Sequence, residues 1–464
     1  MFGAIAGDIA GSVLEGTFPG DKNSIHLFPQ HGRVTDDSVL TLAVAEAARL
    51  NLDFSPTLHE WGNHYPEAGY GIRFIRWLRQ EDPAPYNSFG NGSAMRVSPT
   101  GWIFDDIHSV QKEAEKSALA THDHPEGVRG AVSMASAIFL ARKGASKDDI
   151  RSLFEHTFSY SCKTVSYWKG LQAFDVTCQG TVPAAVAAFL ESESLEDTIR
   201  TAISIGGDTD TLAAIAGSLA EAFYQGISPD LLKKIWPYMD WRQQGEAAAF
   251  LFAYYPEPEN RISLLDYTSA SAHAVRFDLM AHSNPAEAVH KQRFFKTAPG
   301  QYGEGDRFLG IKVPQQRSIA KKYADISPEE TDRLITSRFH EERLTALLLL
   351  TYRFKRADAA EQKRIFDDYL RNKAYINNWD LVDVTAPIIT GPFLESEARP
   401  LLLGLVSSDH LWDRRIAMLS TLYQIRKNDF KDTLMIADAL LADPEDLMHK
   451  AVGWMLREVW KRSP

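Results

Sequence analysis

The chain has 464 residues, of which 44% are hydrophobic and 24% charged, with a formal net charge of −11. That length exceeds one ordinary core and the composition is that of a globular protein, which excludes a disordered tail or a fibrous repeat. Two cysteines, Cys162 and Cys178, exclude a disulfide scaffold and suit a reducing, cytoplasmic compartment, and no apolar run is long enough for a membrane helix.

The chain opens MFGAIAGDIAGSVLEG. It is apolar but carries Asp8 and Glu15 and no basic lead, so it is not expected to be a signal peptide. Gly3, Gly7 and Gly11 are four apart and line one face of a predicted helix, where they permit close packing. Asp8 and Glu15 are seven apart and are expected on one side of that helix. Glu15 reads either as a solvated acid near the helix end or as a glutamate reaching over a metal site.

Thr35-Asp36-Asp37 then stands before the apolar run Ser38–Leu50, and Gly206-Gly207-Asp208-Thr209-Asp210-Thr211 before Leu212–Phe223. Asp and Thr are favoured helix N-caps, and capping alone accounts for either motif. The pair says more. Four carboxylates and two hydroxyls form a ligand set suited to hard cations such as Mg²⁺, Mn²⁺ or Ca²⁺. Two glycines before Asp208 allow a close backbone approach that a cap does not need.

Between the acidic motifs lies Asn87-Ser88-Phe89-Gly90-Asn91-Gly92-Ser93-Ala94-Met95-Arg96. Its Gly-Asn-Gly can wrap backbone N–H groups round an anion, and Phe89 can stack on a base. Thr121-His122-Asp123-His124-Pro125-Glu126 reads as a turn at a helix terminus. Apolar spacing predicts helices over 39–49, 110–119, 128–142, 199–203, 212–223 and 247–253, with no alternating strand. The first half is therefore expected to be a compact all-α domain, residues 1–258.

Taken in order, GAIAGDIAGSVLEG, TDDS, FGNGSAMRVSPTG, THDHPEG and SIGGDTDT resemble the ADP-ribosylglycohydrolase family, relatives of dinitrogenase reductase-activating glycohydrolase. The resemblance implies an all-α enzyme holding two Mg²⁺ or Mn²⁺ ions and hydrolysing the bond at the anomeric carbon of ADP-ribose. By motif, Thr35, Asp36, Asp37, Asp208, Asp210 and Thr211 would be metal ligands. Glu15 falls on a glutamate that in some members takes part in catalysis. Ser88, Phe89, Gly90, Asn91, Gly92 and His122 would cradle ADP-ribose. Ser38 departs from the family, which often has a second threonine there. Which carboxylate serves as base stays open among Asp36, Asp37, Asp210 and Glu15.

A boundary is expected near 257–270, where Pro256, Pro258 and a polar stretch interrupt the periodicity. Charge changes there too: residues 1–260 hold about 20 Lys+Arg against 33 Asp+Glu, and the remainder about 30 against 28.

The second half, 271–464, reads as short paired helices at roughly 35–40 residues per pair, a HEAT-like α-solenoid. They are expected at 271–281, 315–323, 328–337, 341–352, 359–371, 381–389, 395–406, 412–425, 431–441 and 447–459. Trp379 and Asp383 share a helical face. An aromatic beside a carboxylate with Arg nearby can meet a cationic base and its phosphate; the alternative is that the Trp residues are core and Asp383 caps or pairs with Arg415.

FFKTAPGQYGEGDRFLGIKVP, INNWDLVD, LWDRRIA and HKAVGWMLRE resemble the AlkD-like DNA alkylation-repair family of HEAT-repeat proteins. By motif, Trp379, Asp383, Arg415 and Trp454 fall where that family contacts a lesion. The resemblance implies duplex DNA cradled on a concave face, with Trp379 and Trp454 exposed in a groove beside Arg415. The chain ends on LREVWKRSP, where relatives usually carry further helices, so weak or absent base excision is expected. The combined expectation is a metal-dependent ADP-ribosyl hydrolase whose target is at DNA. A bifunctional alkylpurine glycosylase and a protein-interaction solenoid are the competing readings.

Overall fold

The computed structural model describes residues 1–255, 270–298 and 300–463. The chain divides into two compact units, Met1–Asp266 and Tyr267–Pro464. The boundary expected at 257–270 falls almost wholly outside the described residues. Among these residues there is no β-ladder, only isolated bridges between Gly90 and Thr177 and between Arg307 and Phe339.

The first unit is built round two apolar helices. Phe2–Gly11 is buried along its whole length, and Thr209–Phe223 is buried except at Phe223. A helix apolar on all sides belongs inside a bundle, and Pro125–Arg142, Cys178–Leu190 and Leu195–Ile203 surround Thr209–Phe223. The glycine stripe is the reason the two central helices meet so closely. A Cβ on Gly3 would lie 2.2 Å from the Gly217 carbonyl oxygen, one on Gly7 2.1 Å from that of Ala213, and one on Gly11 2.5 Å from Asp210 Cα. Asp36–Leu50 packs beside them, started by Thr35, whose hydroxyl accepts from the Asp37 N–H.

In the second unit His340–Phe354 packs against Val313–Lys322 and Pro328–Ile335, then passes contact to Trp379–Ile389. That helix touches Leu411–Ser420, which touches Asp446–Trp460. Successive neighbour contacts of this kind are the pattern of a solenoid. Acid–base pairs stitch successive helices: Glu342 to Arg276, Asp383 to Arg415, Asp432 to Arg399 and Asp443 to Arg414.

In the second unit two helix expectations change and one helix is new. The helix expected at 395–406 is a 3₁₀ turn, Gly391–Glu395, and a short helix, Arg399–Gly404, restarted by Pro400. The one expected at 412–425 divides at Ser420 and Thr421, whose hydroxyls bond the carbonyls of Ile416 and Met418. Pro285–Phe294 was not expected: it buries only Ala288 and Gln292, so periodicity is faint, and its signals are the Asn284 cap and Pro285.

Candidate active site

The acidic motifs meet at the floor of a cleft of about 450 Å³ in the first unit. Asp37 comes from the first turn of Asp36–Leu50 and Asp210 from that of Thr209–Phe223. Asp8 joins them from the glycine-striped helix. Carboxylate oxygens of Asp8, Asp37 and Asp210 lie within 4.8 Å of one another, and so do those of Glu15, Asp208 and Asp210.

Asp8 is the residue that sequence reading placed on a helix face without a role. It accepts hydrogen bonds from the Thr35 N–H (2.9 Å), the Thr35 hydroxyl (2.6 Å), the Ser38 N–H (3.1 Å) and the Ser38 hydroxyl. Ser38, the family departure, therefore grips Asp8. Thr35 spends its hydroxyl proton on Asp8, and the Thr211 hydroxyl donates to Asp37 Oδ2 at 3.1 Å.

Glu15 reaches the cluster differently from the expectation. The first helix ends at Gly11, so Asp8 and Glu15 do not share a helix face. The chain turns instead, and Gly16 N–H to Gly207 O and Gly207 N–H to Thr17 O, both 2.8 Å, tie the strand of chain after Glu15 to the glycine pair. Gly206 and Gly207 have φ of 86° and 84°. A Cβ on Gly206 would strike Phe18, and one on Gly207 would lie 2.6 Å from Ala173 O. Only glycine fits both demands.

Crowding governs the electrostatics. Burial, then Asp210 and Asp8, pushes Asp36 up to about 8, and burial pushes Asp8 up to about 7 against the hydrogen bonds it accepts. Asp37 and Asp208 lie well above the carboxylate range for the same causes, burial first and Asp210 second. Asp37 Oδ1 is buried with no hydrogen-bond partner. Oxygen ligands this dense, with an unshared buried carboxylate oxygen among them, fit hard divalent cations, whose charge lets all of them ionise.

The loop 87–92 forms the adjoining wall, with Ser88, Phe89, Gly90, Asn91, Gly92 and His122 all lining the cleft. Asn91 is drawn into the acidic floor, donating to Asp208 Oδ2 at 2.6 Å and to Thr181 at 3.0 Å. His122 bonds Thr121 Oγ1 at 2.6 Å and is held neutral by burial and by Arg96 and Arg73. Phe89 stands 42% exposed. Sequence reading passed over Arg33, Arg73, Phe174 and Val176, which line the same cleft and carry no local motif; Arg96, also in its lining, stood in the motif 87–96 without a role.

Residues 1–259 match the family described as ADP-ribosylglycohydrolase. The chain belongs to the ADP-ribosylglycohydrolase family. ADP-ribosylhydrolase ARH3 of Bos taurus is 28% identical over 304 residues, spanning 48% of this chain and 83% of that protein. The Homo sapiens ARH3 is 27% identical over 48% of this chain and 84% of its own. ADP-ribosylarginine hydrolase Tri1 of Pseudomonas putida (strain GB-1) is 26% identical over 57% of this chain and 80% of its own. The chain is an ADP-ribosylhydrolase enzyme, and the match lies in its first unit. Residues 275–464 match the family described as DNA alkylation repair enzyme, a HEAT-like domain.

In that second domain Trp379 and Trp454 are half-buried. Trp379 stacks on Phe295, which stacks on Phe308, which stacks on His340, with centroids 5.5, 5.0 and 4.7 Å apart. The expected open arginine face needs correction. Arg415 is 4% exposed, bound to both oxygens of Asp383 at 2.8 and 2.9 Å and to the Leu447 carbonyl. A guanidinium held by three acceptors below the surface presents no free charge to a phosphate.

Proposed function

We propose that the first unit hydrolyses the glycosidic bond of ADP-ribose on a macromolecular target, with two divalent cations, Mg²⁺ or Mn²⁺. The observation that carries this reading is the convergence of Asp8, Asp37, Asp208, Asp210 and Glu15 at the floor of one cleft. Thr35, Asp36, Asp37, Asp208, Asp210 and Thr211 would hold the metals, and Asp8 belongs with them on geometry. When bound, such ions polarise a water or a ribose hydroxyl against the anomeric carbon.

The chain's own residues do the rest. Asp8 orients Thr35 and Ser38, and Asn91 orients Asp208. Loop 88–92 and neutral His122 cradle the ADP-ribose. The dense negative field of the floor favours the oxocarbenium-like transition state. A proton leaves the attacking oxygen for one of Asp36, Asp37, Asp210 or Glu15.

The second unit would bring the enzyme to DNA. Support comes from the match of residues 275–464 to DNA alkylation repair enzymes and from the Trp379 aromatic column. Incubating the full chain with Mg²⁺ and arginine-, serine- or nucleobase-linked ADP-ribose tests the activity. Asp210→Ala should lower kcat by about a thousandfold or more while circular dichroism stays unchanged. Hydrolysis that survives both chelator and this substitution would refute the metal site.

A further inference from the structure

The helix Ile72–Leu78 borders the cleft with Ile72, Arg73 and Phe74. It buries Phe74, Trp77 and Leu78, so the three-residue spacing of Arg73, Arg76 and Arg79 turns all three to solvent. The strip runs about 9 Å along the axis, from the cleft mouth outward, and Glu81 and Asp82 follow at its far end. None of the three arginines forms an ion pair among the described residues. Arg73 is fixed instead by the Tyr86 carbonyl and lies 5.0 Å over the Tyr86 ring.

An arginine strip without ion pairs is unusual company for a domain with about 20 basic residues against 33 acidic ones. Rings flank it. Phe89 and Phe174 line the same cleft while 42% and 52% exposed, and Ile72 is 68% exposed. ADP-ribose brings one base, whereas the cleft offers ring surfaces on two walls, 87–92 and 173–177. A basic strip leading to exposed rings is how proteins hold single-stranded nucleic acid.

We propose that Arg73, Arg76 and Arg79 form a phosphate track leading a single-stranded nucleic acid, with ADP-ribose on one nucleobase, into the cleft. This rests on the reading of the cleft as an ADP-ribosyl hydrolase. Water adds its oxygen to the anomeric carbon, the bond from that carbon to the base nitrogen breaks, and the nitrogen takes the proton. The products are ADP-ribose and an intact strand.

The test compares the full chain with R76E/R79E and R76K/R79K, none of these positions lining the cleft. Substrates are an ADP-ribosylated single-stranded oligonucleotide and the matching ADP-ribosylated nucleoside, with Mg²⁺. R76E/R79E should lose roughly tenfold or more in kcat/KM on the oligonucleotide, with a shallower salt dependence. It should keep its rate on the nucleoside, which also reports folding, and R76K/R79K should retain both. Equal effects on the two substrates, or none, overturn the track. Turnover of ADP-ribosylated protein but not of either nucleic-acid substrate overturns it while leaving the hydrolase reading standing. No turnover of any ADP-ribosylated substrate overturns both.

Discussion

His340 lies between two carboxylates, its Nδ1 3.0 Å from Asp306 and its Nε2 2.8 Å from Asp380. Burial alone would drive the imidazole neutral, but Asp380 and Asp306 outweigh it and raise its pKa to about 9. Asp306, also held by Arg343 at 2.5 Å, is depressed below the usual carboxylate range. Because the folded value lies above the unfolded 6.5, His340 stabilises the fold fully below about pH 6.5. That contribution, of order 3 kcal/mol for the rise from 6.5 to about 9, disappears as pH climbs through 9. Denaturant unfolding of the second unit between pH 7 and 10 should show the decline, and His340→Gln should abolish the slope. Nothing local announced this centre, since Asp306, His340 and Asp380 are far apart in the chain. The same is true of Asp8, whose importance depends on Thr35 and Ser38 arriving beside it.

At the scale of helices, the glycine stripe is the part most legible in advance. Residues four apart lie on one face in any helix, and absence of side chains there permits only close packing. The partner was not legible, because Thr209–Phe223 is small-residue-rich on every side. The consequence is measurable. A methyl at position 7 would sit 2.1 Å from the Ala213 carbonyl, which is backbone and cannot swing away. Gly7→Ala should therefore push the helices apart at a cost of about 1–3 kcal/mol in unfolding free energy. It should also weaken Mn²⁺ binding by calorimetry, since Asp8 and Asp210 ride on the two helices. An unchanged metal affinity would mean the cluster does not depend on that packing.

For the whole molecule, two compact units with different electrostatics should respond to different agents. Metal held by the acidic floor stabilises only the native first unit, by roughly 2.7 kcal/mol at a hundred times the dissociation constant. Alkaline pH acts through His340 in the second. Calorimetry is expected to resolve two transitions, the one from Met1–Asp266 moving up with Mg²⁺ or Mn²⁺ and back with chelator. Limited scans of the separate halves assign them. A shift of both transitions by metal would place cation sites outside the acidic floor.

Helical periodicity, the glycine stripe, the paired acidic N-termini and the change in charge between halves were properties of the sequence alone. They sufficed for an all-α fold and for the paired acidic motifs at the cleft floor, because spacing on a helix and ligand chemistry are local. What the sequence left open was settled by packing. Asp8 enters the cluster only because two helices touch along glycine. Glu15 arrives by a turn, not along a helix, because Gly206 and Gly207 accept the returning chain. Arg415 had two readings until burial paired it with Asp383. In each case the deciding contact is with neighbours distant in the chain: backbone against glycine for Asp8 and Glu15, and a buried ion pair for Arg415.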